Sequence, residues 1–292
     1  MDKWTSLHVF YHNVPKYDEM ILGFTELLAD MKKEKKIEKW FFIRYWEGGP
    51  HIRIRLLNAG ESEIAELKAL LYDFMEKNPP DRIVTREEYY KDNKFDGVPL
   101  DEASLPWYEN GEIAEIDYEP EIERYGGENV MELSENIFDL SSNMTRGMIA
   151  SSGGDFNKKL ILAEALTLIE VRQLRKVYGR SNTADYLELY RTHWSSFLYG
   201  SENEKMIEKF FSANTGPLKK AYEILTDNEE FMSVIGKICD NIAAISAELD
   251  NKDRVDYIVS SQIHMTNNRL GAAPVFEYFI SDNLKQKESE VK

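Results

Sequence analysis

The chain has 292 residues, of which 42% are hydrophobic and 30% charged, and a net charge of −16. That is an ordinary composition for a folded chain long enough to bury a sizeable core. It contains no run of about eighteen apolar residues that would span a bilayer. So acidic a chain opposes direct binding of tRNA or DNA, which is usually gripped through a basic face. The single cysteine, Cys239, excludes an internal disulfide and a cysteine-based zinc site.

In chain order, Met1 to Trp4 lacks the basic start and apolar stretch of a signal peptide, so a cytoplasmic location is expected. Trp4 to Tyr11 is rich in strand formers. Tyr17 to Lys35 has helical spacing, with Ile21, Phe24, Leu27, Leu28 and Met31 on one side. Trp40 to Trp46 is aromatic and β-branched, Glu47-Gly48-Gly49-Pro50 reads as a turn, and His51 to Leu57 alternates as a second strand. Glu61 to Lys77 returns to helical period and stops at Asn78-Pro79-Pro80. A fourth strand is expected at Arg82–Thr85 or at Glu112–Tyr118. The resulting β-α-β-β-α-β order is ferredoxin-like.

After Gly127 strand signals vanish. Helices are expected at about Asn129–Ala150, Asn157–Tyr178, Thr183–Tyr199, Lys205–Phe211, Pro217–Leu225, Glu230–Leu249, Asp253–Leu270 and Pro274–Lys285. Asp253 is a candidate cap, Gly271 followed by Pro274 a stop, and Gln286 to Lys292 a frayed end. The expected fold class is α+β: a single domain over 1–292, with a sheet portion at 1–127 and a helical portion at 128–292.

Three stretches could carry chemistry. On the strand His51 to Leu56, side chains alternate, so Ile52, Ile54 and Leu56 pack on one face while His51, Arg53 and Arg55 share the other. Two guanidinium forks on one face either pair with the protein's own acids or hold an anionic ligand in bidentate geometry. Between Tyr108 and Asp139 there are eleven acidic residues and one base, Arg124. That arginine either neutralises its neighbours or is placed for a site by the Gly126-Gly127 turn. On the last long helix, Tyr257, Ser261, His264 and Asn268 recur at threes and fours and form one polar stripe. His264 is there either as a surface residue or as a general acid or base. His8, His12, His51 and His193 have no metal-ligand spacing, and no P-loop or dinucleotide-binding glycine motif is present.

Trp40-Phe41-Phe42-Ile43-Arg44-Tyr45 with Gly49-Pro50-His51-Ile52-Arg53-Ile54-Arg55, Tyr118 to Gly127, and Ile263 to Gly271 together resemble three motifs, in register, of the elimination domain of class I lanthipeptide dehydratases. The resemblance spans roughly Trp4 to Ile280. In that family a separate glutamylation domain esterifies Ser or Thr of a precursor peptide from glutamyl-tRNA. The elimination domain then expels glutamate to leave dehydroalanine or dehydrobutyrine. The resemblance implies elimination by Arg55, Arg124 and His264, with Arg53, His51, Tyr125 and Asn268 as substrate-binding neighbours and no metal or organic cofactor. It leaves open whether His264 acts as acid or base.

It further implies two partners, a glutamylated precursor peptide and a separate glutamylating dehydratase subunit as in split systems, and it admits a homodimer. Two rival expectations accompany it. One is the pyridine-forming cycloaddition of thiopeptide biosynthesis on the same fold. The other is a non-catalytic peptide-binding subunit of a split dehydratase.

Overall fold

The computed structural model describes residues 3–91, 104–198 and 200–291. The sequence readings at Met1, at the Tyr199 end of a helix and at Lys292 lie outside them. Contacts divide the chain into two compact units, Met1–Glu119 and Pro120–Lys292.

The first unit is built on β1 (Trp4–Phe10), α1 (Tyr17–Lys33), β2 (Lys39–Tyr45), β3 (His51–Leu57), α2 (Glu61–Lys77), the short α3 (Arg86–Tyr90) and β4 (Ile113–Glu115). The strands form one antiparallel sheet in the order β2-β3-β1-β4, the ferredoxin-like arrangement expected from the element order. Leu7 and Val9 of β1 lie opposite Ile54 and Ile52 of β3, and Phe42 of β2 also lies opposite Ile54. These side chains are fully buried, as are Phe24 and Leu28 of α1 and Leu67 and Leu71 of α2. Alternation therefore assigns one sheet face to the helices, with Phe24 meeting Phe42 edge-on at 5.7 Å between ring centroids.

Of the two expected positions for the fourth strand, Glu112–Tyr118 contains it. Arg82–Thr85 is not a strand: Thr85 instead caps α3 in a reciprocal box with Glu88. The periodicity did not reveal α3, which is too short to show a full apolar repeat.

The second unit is helical: α4 (Glu128–Ser152), α5 (Phe156–Lys176), α6 (Thr183–Trp194), α7 (Glu202–Ala213), α8 (Thr215–Asp227), α9 (Glu229–Leu249), α10 (Lys252–Leu270) and α11 (Pro274–Lys287). All eight expected helices form. α6 ends early, passing into a 3-10 turn at Ser195–Phe197. The cap of α10 is Asn251, whose side chain accepts the Arg254 amide at 3.0 Å. Asp253 is already inside the first turn, where its charge suits the helix N-terminus. Gly271 closes α10 in the left-handed conformation at φ 87°, and Pro274 opens α11. No helix among the described residues is long and apolar enough to cross a membrane.

Candidate functional site

In the helical unit a cavity of about 220 Å³ is lined by α6, α10 and Arg124. The sequence of each element explains its wall. Tyr186, Tyr190 and Trp194 recur every four residues on α6 and so form one aromatic stripe. On α10, Tyr257, Ser260, Ser261 and His264 face the same space. Arg124 is delivered by the turn before α4. There Gly126 and Gly127 adopt φ of 101° and 107°, and a Cβ on Gly126 would come within 2.9 Å of Ile258 and Val130. Only glycine lets that segment approach α10 so closely.

Arg124 donates through Nε to Ser261 Oγ at 3.1 Å and through Nη1 to Glu121 at 3.0 Å. Burial works against its charge, but the neighbouring Tyr125, Glu121 and Tyr257 outweigh that and raise its pKa. It is a fixed cation in the wall of a partly enclosed space.

His264 has a buried orienting partner. Its Nδ1 lies 2.6 Å from Oε1 of Glu277, which is fully buried. Oε2 of Glu277 accepts from the Tyr190 hydroxyl and, at 3.3 Å, from Asn267 Nδ2. Burial and the Glu277 charge hold the Tyr190 phenol well above its ordinary range, so it stays a donor. A carboxylate accepting from two other donors leaves Nδ1 of His264 to donate as well. Nε2 is then the basic nitrogen of the ring, and His264 lines the cavity. The Gly271 cap and Pro274 make this pairing, by turning the chain so that the first turn of α11 returns beneath α10.

Also in the cavity wall, Asp256 accepts from Arg175 Nε at 2.9 Å and from the Tyr178 hydroxyl at 2.6 Å. Tyr186 donates to Ser260 Oγ at 2.8 Å, which in turn donates to the Asp256 carbonyl. These bonds fix the aromatic wall against α10.

The remaining expected site residues divide as follows. Tyr125 is buried, with its ring 4.9 Å from Phe138 and edge-on to it, and Asn268 is not among the residues lining the cavity. His51, Arg53 and Arg55 belong to the sheet unit, on the face opposite its helices. There Arg53 donates to His51 Nε2 at 3.1 Å and stacks 3.5 Å above the Tyr45 ring. Arg55 is buried against Tyr118, at 4.6 Å from its ring. His8 of β1 stacks on His51 at 5.1 Å. Burial first, then the charge of Arg53, pushes the His8 pKa down to about 2. His51 falls to about 3, chiefly through burial and against its bond to the Gly49 carbonyl. Both imidazoles are therefore neutral packing beneath two permanent cations.

Sequence reasoning missed Glu277, Tyr190, Trp194 and His193. Glu277 sits three residues after Pro274 and reads as an ordinary first-turn acid. The Tyr186-Tyr190-Trp194 spacing was visible, but an aromatic stripe at helical period ordinarily signals core.

Comparison with known proteins sets these residues in a family. The family described as lantibiotic biosynthesis dehydratase, C-terminal, matches residues 4–287, and the chain belongs to it. The epidermin biosynthesis protein EpiB of Staphylococcus epidermidis is 25% identical over 293 residues, covering 95% of this chain and 25% of EpiB. The chain thus spans about a quarter of that relative's length. Among solved structures, the pyridine synthase TbtD from thiomuracin biosynthesis superposes with a TM-score of 0.64 at 14% identity, covering 99% of each chain. The tRNA-dependent lantibiotic dehydratase MibB from Microbispora sp. 107891 gives 0.56 at 17% identity, over 97% of this chain and 28% of MibB. TsrL gives 0.63 at 13% identity, over 99% of this chain and 96% of TsrL. At such identities the superpositions establish a shared fold.

Proposed function

We propose that this member of the lantibiotic dehydratase C-terminal family is a lyase that removes glutamate from glutamylated Ser or Thr residues of a ribosomally made precursor peptide. The observation that carries the reading is the His264–Glu277 pair at 2.6 Å in a cavity that Arg124 also lines. A histidine whose Nδ1 is held by a buried carboxylate is poised as a general base through Nε2.

In the proposed reaction His264 takes the α-proton of the modified residue. The electron pair becomes the Cα–Cβ double bond, the Cβ–O bond breaks, and glutamate departs as a carboxylate. Dehydroalanine or dehydrobutyrine remains. The negative charge that develops at the substrate needs a fixed positive neighbour, and Arg124 supplies one in a partly enclosed space. Arg53 and Arg55, whose guanidinium groups lie over aromatic rings of the sheet unit, have the fork geometry suited to the carboxylates of a glutamyl group.

Belonging to this family, the protein is expected to act beside a partner that installs the glutamyl group. Its own net charge of −16 favours a role after the tRNA-dependent step.

A second reading is pyridine formation from two dehydroalanines, favoured by the match to a pyridine synthase over 99% of both chains. Elimination stands ahead of it because Arg124 lines the same cavity as His264, and only the elimination substrate carries a glutamyl carboxylate. The deciding experiment offers two peptides to the purified protein, one glutamylated on Ser and one already bearing dehydroalanines. Glutamate release from the first supports elimination. Release of the leader from the second, with the first untouched, supports pyridine formation.

A further inference from the structure

The cavity holds a second histidine that the reaction as written does not use. His193 lies on α6, exposed at the cavity wall, one residue before the buried Trp194. Its ring meets the Trp194 indole edge-on at 4.5 Å, and the ring of His264 meets the same indole at 4.6 Å. Both imidazoles therefore pack on one indole in the wall of a single cavity.

The chemistry leaves a task for a second base. Once His264 has taken the α-proton, the fully buried Glu277 holds the resulting imidazolium from behind through Nδ1. The next turnover requires that proton to leave through the cavity. A space of about 220 Å³ has room for several waters, each ~30 Å³ in the liquid. An exposed imidazole on its wall is the natural acceptor.

We propose that His193 is the group through which His264 returns its proton to solvent, so that the two histidines work as one proton-transfer pair through the cavity they share. This rests on the reading of His264 as general base. The groups facing His193 are His264, Arg124 and Glu277, and the cavity wall adds Asp253, Asp256, Tyr190 and Tyr257. Partial burial first, then His264 and Arg124, lower the His193 pKa below the usual imidazole value, with Glu277 opposing. The ring is thus neutral and ready to accept near neutral pH. In acid it becomes a further positive charge beside His264 and Arg124, which would hinder protonation of His264 by substrate.

The test uses the full chain and its His193→Gln variant on a Ser-glutamylated peptide, with kcat and KM followed across pH. The expected result is a fall in kcat of about tenfold or more, with KM little changed, reversed by added imidazole buffer. A kcat equal to wild type at every pH would overturn the proposal. So would a loss confined to KM and indifferent to imidazole, since that marks a binding or structural role.

If the wild-type protein releases no glutamate, it is the functional reading that fails. The pairing is then judged by an NMR titration of His193, which needs no substrate. Titration below the usual imidazole value, moving upward when His264→Gln removes its neighbour, supports the pair. A titration unmoved by that substitution refutes it.

Discussion

Replacing Glu277 by Gln keeps the side chain's size while removing its charge. Glu277 accepts from three donors, His264 Nδ1 at 2.6 Å, the Tyr190 hydroxyl, and Asn267 Nδ2 at 3.3 Å. An amide offers one acceptor oxygen and two donor hydrogens in the same space. If the amide oxygen faces His264, its NH2 group opposes Tyr190 and Asn267. If the NH2 group faces His264, Nδ1 becomes the acceptor and Nε2 carries the proton, the wrong tautomer for a base. Either way the base is lost or its support is broken. General-base catalysis contributes 10²- to 10⁴-fold, so the expected loss in kcat is of that order, about 3–5 kcal/mol at ~1.4 kcal/mol per tenfold. An unpaired buried donor adds a stability cost of about 1–3 kcal/mol. The assay is the rate of glutamate release by intact mass, with circular dichroism confirming the fold. A folded Glu277→Gln protein with kcat within about threefold of wild type would refute the orienting role, because the D→N change in the serine-protease triad costs ~10⁴.

Four further outcomes are expected. Gly126→Ala forces a Cβ into Ile258 and Val130 at 2.9 Å, so Arg124 should be displaced and activity should fall by tenfold or more (roughly, for a lost electrostatic donor), with a measurable drop in Tm. Arg55→Ala and Arg53→Ala, assayed separately, should raise KM for the glutamylated peptide and leave affinity for the unmodified peptide little changed. His8 and His51 are held neutral down to about 2 and about 3. The unfolded chain therefore binds more protons than the folded one as pH falls below the ordinary value of about 6.5, and stability should fall through that window by up to ~1.4 kcal/mol per pH unit for each ring. His8→Gln should flatten this acid limb in urea melts taken at successive pH values. Glu164 is fully buried and accepts from Asn283 Nδ2 at 2.7 Å, and burial pushes its pKa up to about 8. Here the folded state binds the extra proton, so stability should fall as pH rises from the ordinary carboxyl value to about 8 and then level off. Glu164→Gln should remove that slope.

How far the sequence carried the account differs between fold and site. Apolar residues at period two on β1 and β3 and at 3.6 along the helices were enough for the ferredoxin-like order and all eight helices of the second unit. Ends were less legible: Asn251 and Asp253 are both good caps, and which one acts depends on where the preceding helix α9 lets the chain turn. At the site, Arg124, Ser261 and His264 were readable because glycines and a polar stripe mark unusual positions. Glu277 was not, because its significance comes from tertiary structure: it is thirteen residues from His264, and only the Gly271–Pro274 corner brings it there. Asn268 fell on the stripe by spacing but does not line the cavity, since helical period fixes a face and not how much of that face a neighbour leaves open.

The most direct test of the central claim is intact-mass analysis of a peptide glutamylated on Ser or Thr after incubation with the wild-type protein and with His264→Ala. The account predicts that wild type converts each glutamyl adduct to the dehydro residue with release of free glutamate, while the folded variant leaves the adducts in place. Adducts that persist equally with both proteins, or that are lost equally with both, would contradict it.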